Sequence, residues 1–285
     1  LDNGKFLSIK IDGNPKQCYI NPREGAIGCF EEACRNVVCT GAKPIGMLDH
    51  LQFGNPNDPE IFWTFLESLK GLTDFAKDFE IPCVGGKVSL YNETSDGPIK
   101  PTPVIGVIGL IDKKPLKIQK INSGDSLIMI GDTKDELGGS EYFEYIHKFI
   151  GGKCPVVNFS ESKKNMNSVL DIIENQLIKS VHDCSKGGLT IAISELCMTN
   201  QIGCNVSLEK IPGEKLDSDK ILFSESHSRY LVTFENKNLQ KLEETLKKHG
   251  VSYSLIGEFT GDSICFTCDS KPIIDLSVDK AQKTW

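Results

Sequence analysis

An excess of positive charge is the first thing this sequence lacks. Its 32 lysines and arginines are outnumbered by 39 acidic residues, for a formal charge of -7. A broad electrostatic grip on nucleic acid needs the opposite balance, so that function class is set aside. A small phosphate site remains open, because it needs only a local nest of N–H groups. Long apolar runs are also missing. The longest, Thr102–Ile111, is interrupted by Pro103, Gly106 and Gly109, far short of the roughly 18 residues of a membrane helix. The opening Leu1-Asp2-Asn3-Gly4 has neither a starting methionine nor signal-peptide character. A cytoplasmic setting is expected, and the chain reads as a piece of something longer.

Paired zinc ligands are lacking as well. There are eleven cysteines, an odd and scattered set. Cys265 and Cys268 make a lone C-x-x-C; in a strand that spacing points them to opposite faces, and tetrahedral zinc would need a second ligand pair. Free thiols in a reducing compartment are expected. No cysteine sits in a G-x-C-x-G elbow, so no glutaminase nucleophile is apparent. No repeat of 20 to 50 residues is visible.

What is present suits a packed globular protein: 285 residues, 39% hydrophobic and 25% charged, long enough for two domains. Strands are predicted at Lys5–Ile11, Cys18–Ile20, Pro44–Leu51, Ile81–Val84 and Thr102–Ile111. Helices are predicted at Gly25–Thr40, stopped by Gly41, and from Pro59 to about Phe79 behind an Asp58 cap. The lysine-rich Asp112–Lys120 reads as a boundary. Beyond it come strands at Ser126–Ile130, Ser180–Asp183 and Tyr230–Phe234. Helices are expected from Glu141 and at Asn165–Ile178, Leu189–Thr199 and Leu239–His249. Ile256–Phe259 and Ser263–Thr267 are expected to form a terminal hairpin. Strands alternate with helices, and some strand runs stand side by side, which implies α/β mixed layers rather than a doubly wound parallel fold.

Four segments carry chemistry. In Met47–Pro59 a strand is expected to end at Asp49, and a carboxylate beside the Gly54-Asn55-Pro56 turn can hold a cation or a ribose hydroxyl; it equally fits an aspartate that caps a turn. In Val84–Thr94, Gly85 and Gly86 allow close backbone approach to a phosphate and Lys87 adds charge, although G-x-x-x-x-G-K is absent. An ordinary tight turn fits the same residues. His182-Asp183-Cys184-Ser185-Lys186-Gly187-Gly188 leads from a strand into a helix start, a ready anion site, or merely lets strand and helix pack closely. Phe223-Ser224-Glu225-Ser226-His227-Ser228-Arg229 fits a polar loop.

Taken together and in order, these runs resemble one family. Gly25–Gly46, Leu48–Pro56, Gly85–Thr94, Pro101–Leu110, H-D-C-S-K-G-G-L and F-S-E-S-H-S-R are similar to formylglycinamidine ribonucleotide synthetase, in the second of its two duplicated halves. The resemblance covers essentially the whole chain. It implies an aminoimidazole ribonucleotide synthetase-like two-domain architecture, with an N-terminal-type domain at 1–114 and a C-terminal-type domain at 115–285.

The implied activity is that of a ligase of purine biosynthesis. It joins ammonia to formylglycinamide ribonucleotide with ATP and Mg²⁺, through an iminophosphate. By resemblance Asp49, Gly86 and Lys87 bind ATP and Ser89 touches substrate. No metal ligand is assigned. No catalytic residue is assigned either, because the family's catalytic histidines belong to the other half; His50, His182 and His227 are not carried over. Lys87 stands where the family usually has a magnesium-binding asparagine. A protonated lysine has no lone pair for a metal, so either its ammonium contacts a nucleotide phosphate, or Lys87 swings away and the site has lost one metal ligand. Glu225 and Arg229 resemble a substrate loop and are expected to be structural in this half.

The implied partners are the other half of the enzyme, a glutaminase subunit supplying ammonia, and the ribonucleotide. No nucleic acid and no membrane are implied. An exposed sheet face is expected in the first domain, able to drive homodimer formation. The chain alone is expected to lack synthetase activity. The alternatives are a non-catalytic pseudo-half acting as scaffold, and a stand-alone ATP-dependent enzyme of the same superfamily.

Overall fold

The computed structural model describes residues 1–112 and 115–285. By contacts the chain divides into one unit of Leu1–Pro115 with Glu136–Lys163, and another of Leu116–Asp135 with Lys164–Trp285. The junction expected between 114 and 115 falls on residues 113–114, outside the described residues. Glu136–Lys163, expected with the second domain, groups with the first. Its attachment is ionic and apolar: Lys16 Nζ donates to Glu141 at 2.6 Å and Glu144 at 2.8 Å, and Phe159 meets Phe75 edge-on with ring centroids 5.5 Å apart.

The first unit runs β1 (Phe6–Asp12), α1 (Pro15–Ile20), α2 (Pro22–Val38), β2 (Lys43–Gln52), α3 (Pro59–Phe79), β3 (Cys83–Ser89), the short β4 (Glu93–Thr94) and β5 (Gly97–Pro98), and β6 (Thr102–Ile111). Residues 18–20 are helical rather than the expected strand. Asn14 caps α1, accepting from the Gln17 N–H at 3.2 Å, and Pro15 fits the first helical position. Three residues are too few to carry a period, so the cap decides. Asp58 caps α3 as expected, accepting from Glu60 N–H at 2.8 Å.

The main sheet has the order β1-β6-β2-β3. β6 is antiparallel to both neighbours, and β2 and β3 are parallel. Alternation along β6 is strict: Pro103, Ile105, Val107, Gly109 and Ile111 are buried beneath α2, where Phe30 and Phe75 pack with centroids 4.7 Å apart. The opposite face carries Ile9 and Ile11, 66% and 65% exposed, and Leu48.

The second unit has a mixed sheet of order β13-β12-β9-β11-β7-β10-β8. Its strands are β7 (Ser126–Ile130), β8 (Ser180–Asp183), β9 (Cys204–Ser207), β10 (Tyr230–Phe234), β11 (Tyr253–Phe259), β12 (Ser263–Cys268) and β13 (Lys271–Ser277). Its helices are α6 (Gly188–Asn200), α7 (Ser218–Phe223), α8 (Leu239–His249) and α9 (Val278–Thr284), with α4 (Glu141–His147) and α5 (Phe159–Glu174) preceding them in the chain. α5 starts before the expected Asn165. The hairpin expected from 256–259 and 263–267 is not formed. β9 inserts between β11 and β12, antiparallel to the first and parallel to the second, and β12 makes its hairpin with β13. The core here gathers Leu189, Ile193 and Leu196 of α6 with Leu231, Phe259 and Phe266. Architecture is thus mixed α/β in both units.

Candidate functional site

β2 does not end at Asp49, nor β3 at Gly86; both strands continue, to Gln52 and Ser89. Gly85 and Gly86 are therefore strand residues, without the positive φ that a glycine turn would show. Their absent side chains do different things. Side chains alternate across a sheet, and residues paired in register share a face. Asp49 pairs with Gly86 and Leu48 with Gly85. A Cβ on Gly85 would meet only Leu48 Cδ2, at 3.7 Å, an ordinary contact. A Cβ on Gly86 would be driven into Asp49, 2.8 Å from Cγ and closer still to Oδ1. The carboxylate lies where residue 86 has no side chain.

Asp49 is held by its surroundings. Its Oδ2 stands 3.8 Å from Cys83 Sγ, and its carboxylate accepts from the Lys87 backbone N–H. Partial burial pushes its pKa above the ordinary aspartate range, against the opposing pull of the Cys83 thiol, the Lys87 N–H and nearby His50. Sequence reading missed Cys83 altogether. Its place beside Asp49 depends on a bulge: Met47 pairs with Cys83, but Leu48 pairs with Gly85.

Lys87 and Ser89 do not share the Asp49 face. They pair with His50 and Gln52, one residue out of phase with Asp49 and Gly86, so the strand turns them to the opposite side. Asp49 and Gly86 thus share one face of the strand pair, and Lys87 takes the other. β3 is an edge strand, however, and both faces meet along its free edge.

The loops beyond this pair are tied together. Asn92 Nδ2 donates to Phe53 O at 3.0 Å and to Ser89 O at 2.9 Å. Tyr91, at φ +61°, donates its N–H to Gly54 O at 2.9 Å, and Glu93 Oε1 accepts from the Asn55 N–H at 2.8 Å. The two segments singled out in the sequence thus meet side by side, strands and loops alike.

The second unit's candidate anion site is filled by the protein itself. Glu225, 4% exposed, accepts the Gly187 N–H at 2.8 Å at the start of α6. Arg229 is wholly buried and donates to Ser226 O at 2.8 Å, Ser224 O at 2.6 Å and Thr133 Oγ1 at 3.1 Å. Its donors shape the 223–229 loop rather than face solvent. Among the described residues, no group of three or more His, Cys, Asp or Glu is placed to hold a metal, and all eleven cysteines are free, Cys83 the exposed one. No described helix is long and apolar enough to cross a membrane.

Residues 1–111 match the AIR synthase related protein N-terminal domain, and residues 122–266 the corresponding C-terminal domain. Phosphoribosylformylglycinamidine synthase subunit PurL from Alkaliphilus metalliredigens is 36% identical over 283 residues, covering 99% of this chain and 38% of that protein. PurL of Thermotoga maritima complexed with FGAR superposes with a TM-score of 0.86 at 19% identity, over 99% of this chain and 46% of that one. The same protein complexed with ATP gives 0.82, also at 19% identity, over 99% and 45%. At that identity these structures show the shared fold. The chain spans less than half the length of these relatives.

Proposed function

Because the chain belongs to the AIR synthase related family, matched across both of its domains, we propose that it serves an ATP-dependent phosphoribosylformylglycinamidine synthase and supplies nucleotide contacts along the β2–β3 edge. The observation that carries this reading is the seating of Asp49 against the bare backbone of Gly86. An acceptor held over a glycine of the free edge strand suits a nucleotide brought to that edge. Asp49 accepts from a nucleotide hydroxyl, and Lys87 reaches over the free edge of β3 from the other face toward the phosphates. Ser89, on the Lys87 face, is the substrate contact.

The chemistry is that of an ATP-dependent amidine synthesis. ATP phosphorylates the amide oxygen of formylglycinamide ribonucleotide, and ammonia displaces phosphate from the iminophosphate. Mg²⁺, when bound with ATP, would supply charge neutralisation on the transferred phosphoryl group. This chain's residues bind and orient; the reacting groups come from the rest of the enzyme, and ammonia from a glutaminase subunit. The cytoplasm, with its reduced thiols, is the setting that eleven free cysteines suit. The domain junction is placed at 114/115, consistent with family matches that stop at 111 and resume at 122.

The open sheet face bearing Ile9, Ile11 and Leu48 is the surface for the other half of the enzyme, or for a second copy when that half is missing. Glu225 favours a second reading for the rest of the chain. A carboxylate already seated at the α6 start leaves no room for a phosphate there, as in a pseudo-site kept for scaffolding.

Calorimetry with AMPPCP and Mg²⁺, with and without the other half, tests the proposal. Asp49→Asn is expected to weaken binding about tenfold, which is ~1.4 kcal/mol. Lys87→Asn is expected to raise the Mg²⁺ dependence. Unchanged binding in both variants overturns the assignment.

A further inference from the structure

Cys83 is the exposed cysteine of the described chain, and nothing in the core requires it. Its position is set by the bulge in β3. Had β3 continued in phase, the residue sharing a face with Gly86 would be Val84, two residues back. Because Met47 pairs with Cys83 and Leu48 with Gly85, one extra residue is accommodated and Cys83 is brought round to the face of Met47 and Asp49. Bulges commonly re-aim a side chain in this way. The result is a sulfur 3.8 Å from Asp49 Oδ2 and 3.3 Å from Gly85 O. The other carboxylate oxygen, Oδ1, is pressed over Gly86.

We infer that Cys83 is a positioning residue for Asp49: its thiol, placed by the β3 bulge, anchors one carboxylate oxygen so that the other stays over Gly86. The functional consequence deepens the nucleotide reading above and rests on it. Three contacts fix the carboxylate: the thiol at Oδ2, the Lys87 N–H, and the bare Cα of Gly86. Two belong to the backbone. The thiol is the contact that a side-chain substitution removes without moving the strands. A thiol is a weak donor with a single proton, and of its two acceptors here, Gly85 O at 3.3 Å and Asp49 Oδ2 at 3.8 Å, the carboxylate is the one whose charged form a donor acts on. Lys87 is turned to the opposite face, so its ammonium does not replace the thiol.

The test uses the full chain with Cys83→Ala and Cys83→Val. Both remove the donor; the second keeps the bulk and suits a strand. The first readout needs no nucleotide: the ionisation midpoint of Asp49, followed by carboxyl ¹³C NMR. Loss of the thiol is expected to raise the midpoint in both variants. The second is AMPPCP–Mg²⁺ affinity, expected to fall about twofold, the low end of the worth of a hydrogen bond, as suits a weak thiol donor. A midpoint unmoved in both folded variants overturns the inference. If the unaltered chain binds no nucleotide, the nucleotide reading fails on its own, and the Asp49 midpoint still decides the role of Cys83.

Discussion

Replacing each glycine of the Gly85-Gly86 pair by alanine separates two roles that sequence alone leaves merged. Gly85→Ala adds a methyl into ordinary contact with Leu48, whereas Gly86→Ala drives one into the Asp49 carboxylate. The clashing atoms end a flexible side chain, so Asp49 swings away and the fold survives. Both variants are expected to stay within about 1 kcal/mol of the unaltered protein in urea unfolding. Only Gly86→Ala is expected to weaken AMPPCP binding, by about tenfold; equal affinities would show that Gly86 serves no purpose beyond strand geometry. Asp49 and Gly86 were legible as a pair because each stands in a distinctive run. Which face each residue takes was not legible. Reading Gly85-Gly86 as a turn made Gly86 and Lys87 neighbours in one cradle, whereas a continuous strand sets them back to back. Cys83 was invisible for a related reason: its facing depends on a bulge that the pairing with β2 defines.

Among elements, the β7-β10-β8 end of the second unit's sheet is clamped by an ion pair. Lys179 lies just before β8 and Asp125 just before β7, with β10 between those strands. Lys179 Nζ reaches both Asp125 oxygens at 2.8 Å, and the two side chains are 7% and 6% exposed. Removing one partner strands a buried charge. Lys179→Met is expected to cost about 3–5 kcal/mol in urea unfolding. Lys283→Met, which removes the solvent-exposed pair with Asp279, should cost under ~0.5 kcal/mol. Similar losses in the two variants would mean that burial does not govern the Lys179 pair. Elements with local signals read well from sequence. Thr102–Ile111 and Tyr230–Phe234 match their predicted spans, and Asp58-Pro59 starts α3. The elements missed were set by distance or by a single cap. Cys204–Ser207 is only four residues long, and its insertion between β11 and β12 is a long-range choice. Residues 18–20 became helix because Asn14 and Pro15 start one.

At the scale of the whole molecule, the apolar sheet face of the first unit asks for a partner. Ile9 and Ile11, about two-thirds exposed beside Leu48, form an uncovered surface on an otherwise packed sheet. Sedimentation equilibrium of the chain alone is expected to show a concentration-dependent dimer, and Ile9→Lys with Ile11→Lys to abolish it. A clean monomer at high concentration would refute that use of the face. The central claim is that a nucleotide is received along the β2–β3 edge, against Asp49 and Gly86. The most direct measurement is a titration of the ¹⁵N-labelled chain with AMPPCP and Mg²⁺. The largest amide shifts are expected at Gly86 and Lys87, and are expected to vanish in Asp49→Asn. Shifts centred instead on Gly187 and Gly188, with Gly86 unmoved, would contradict the account.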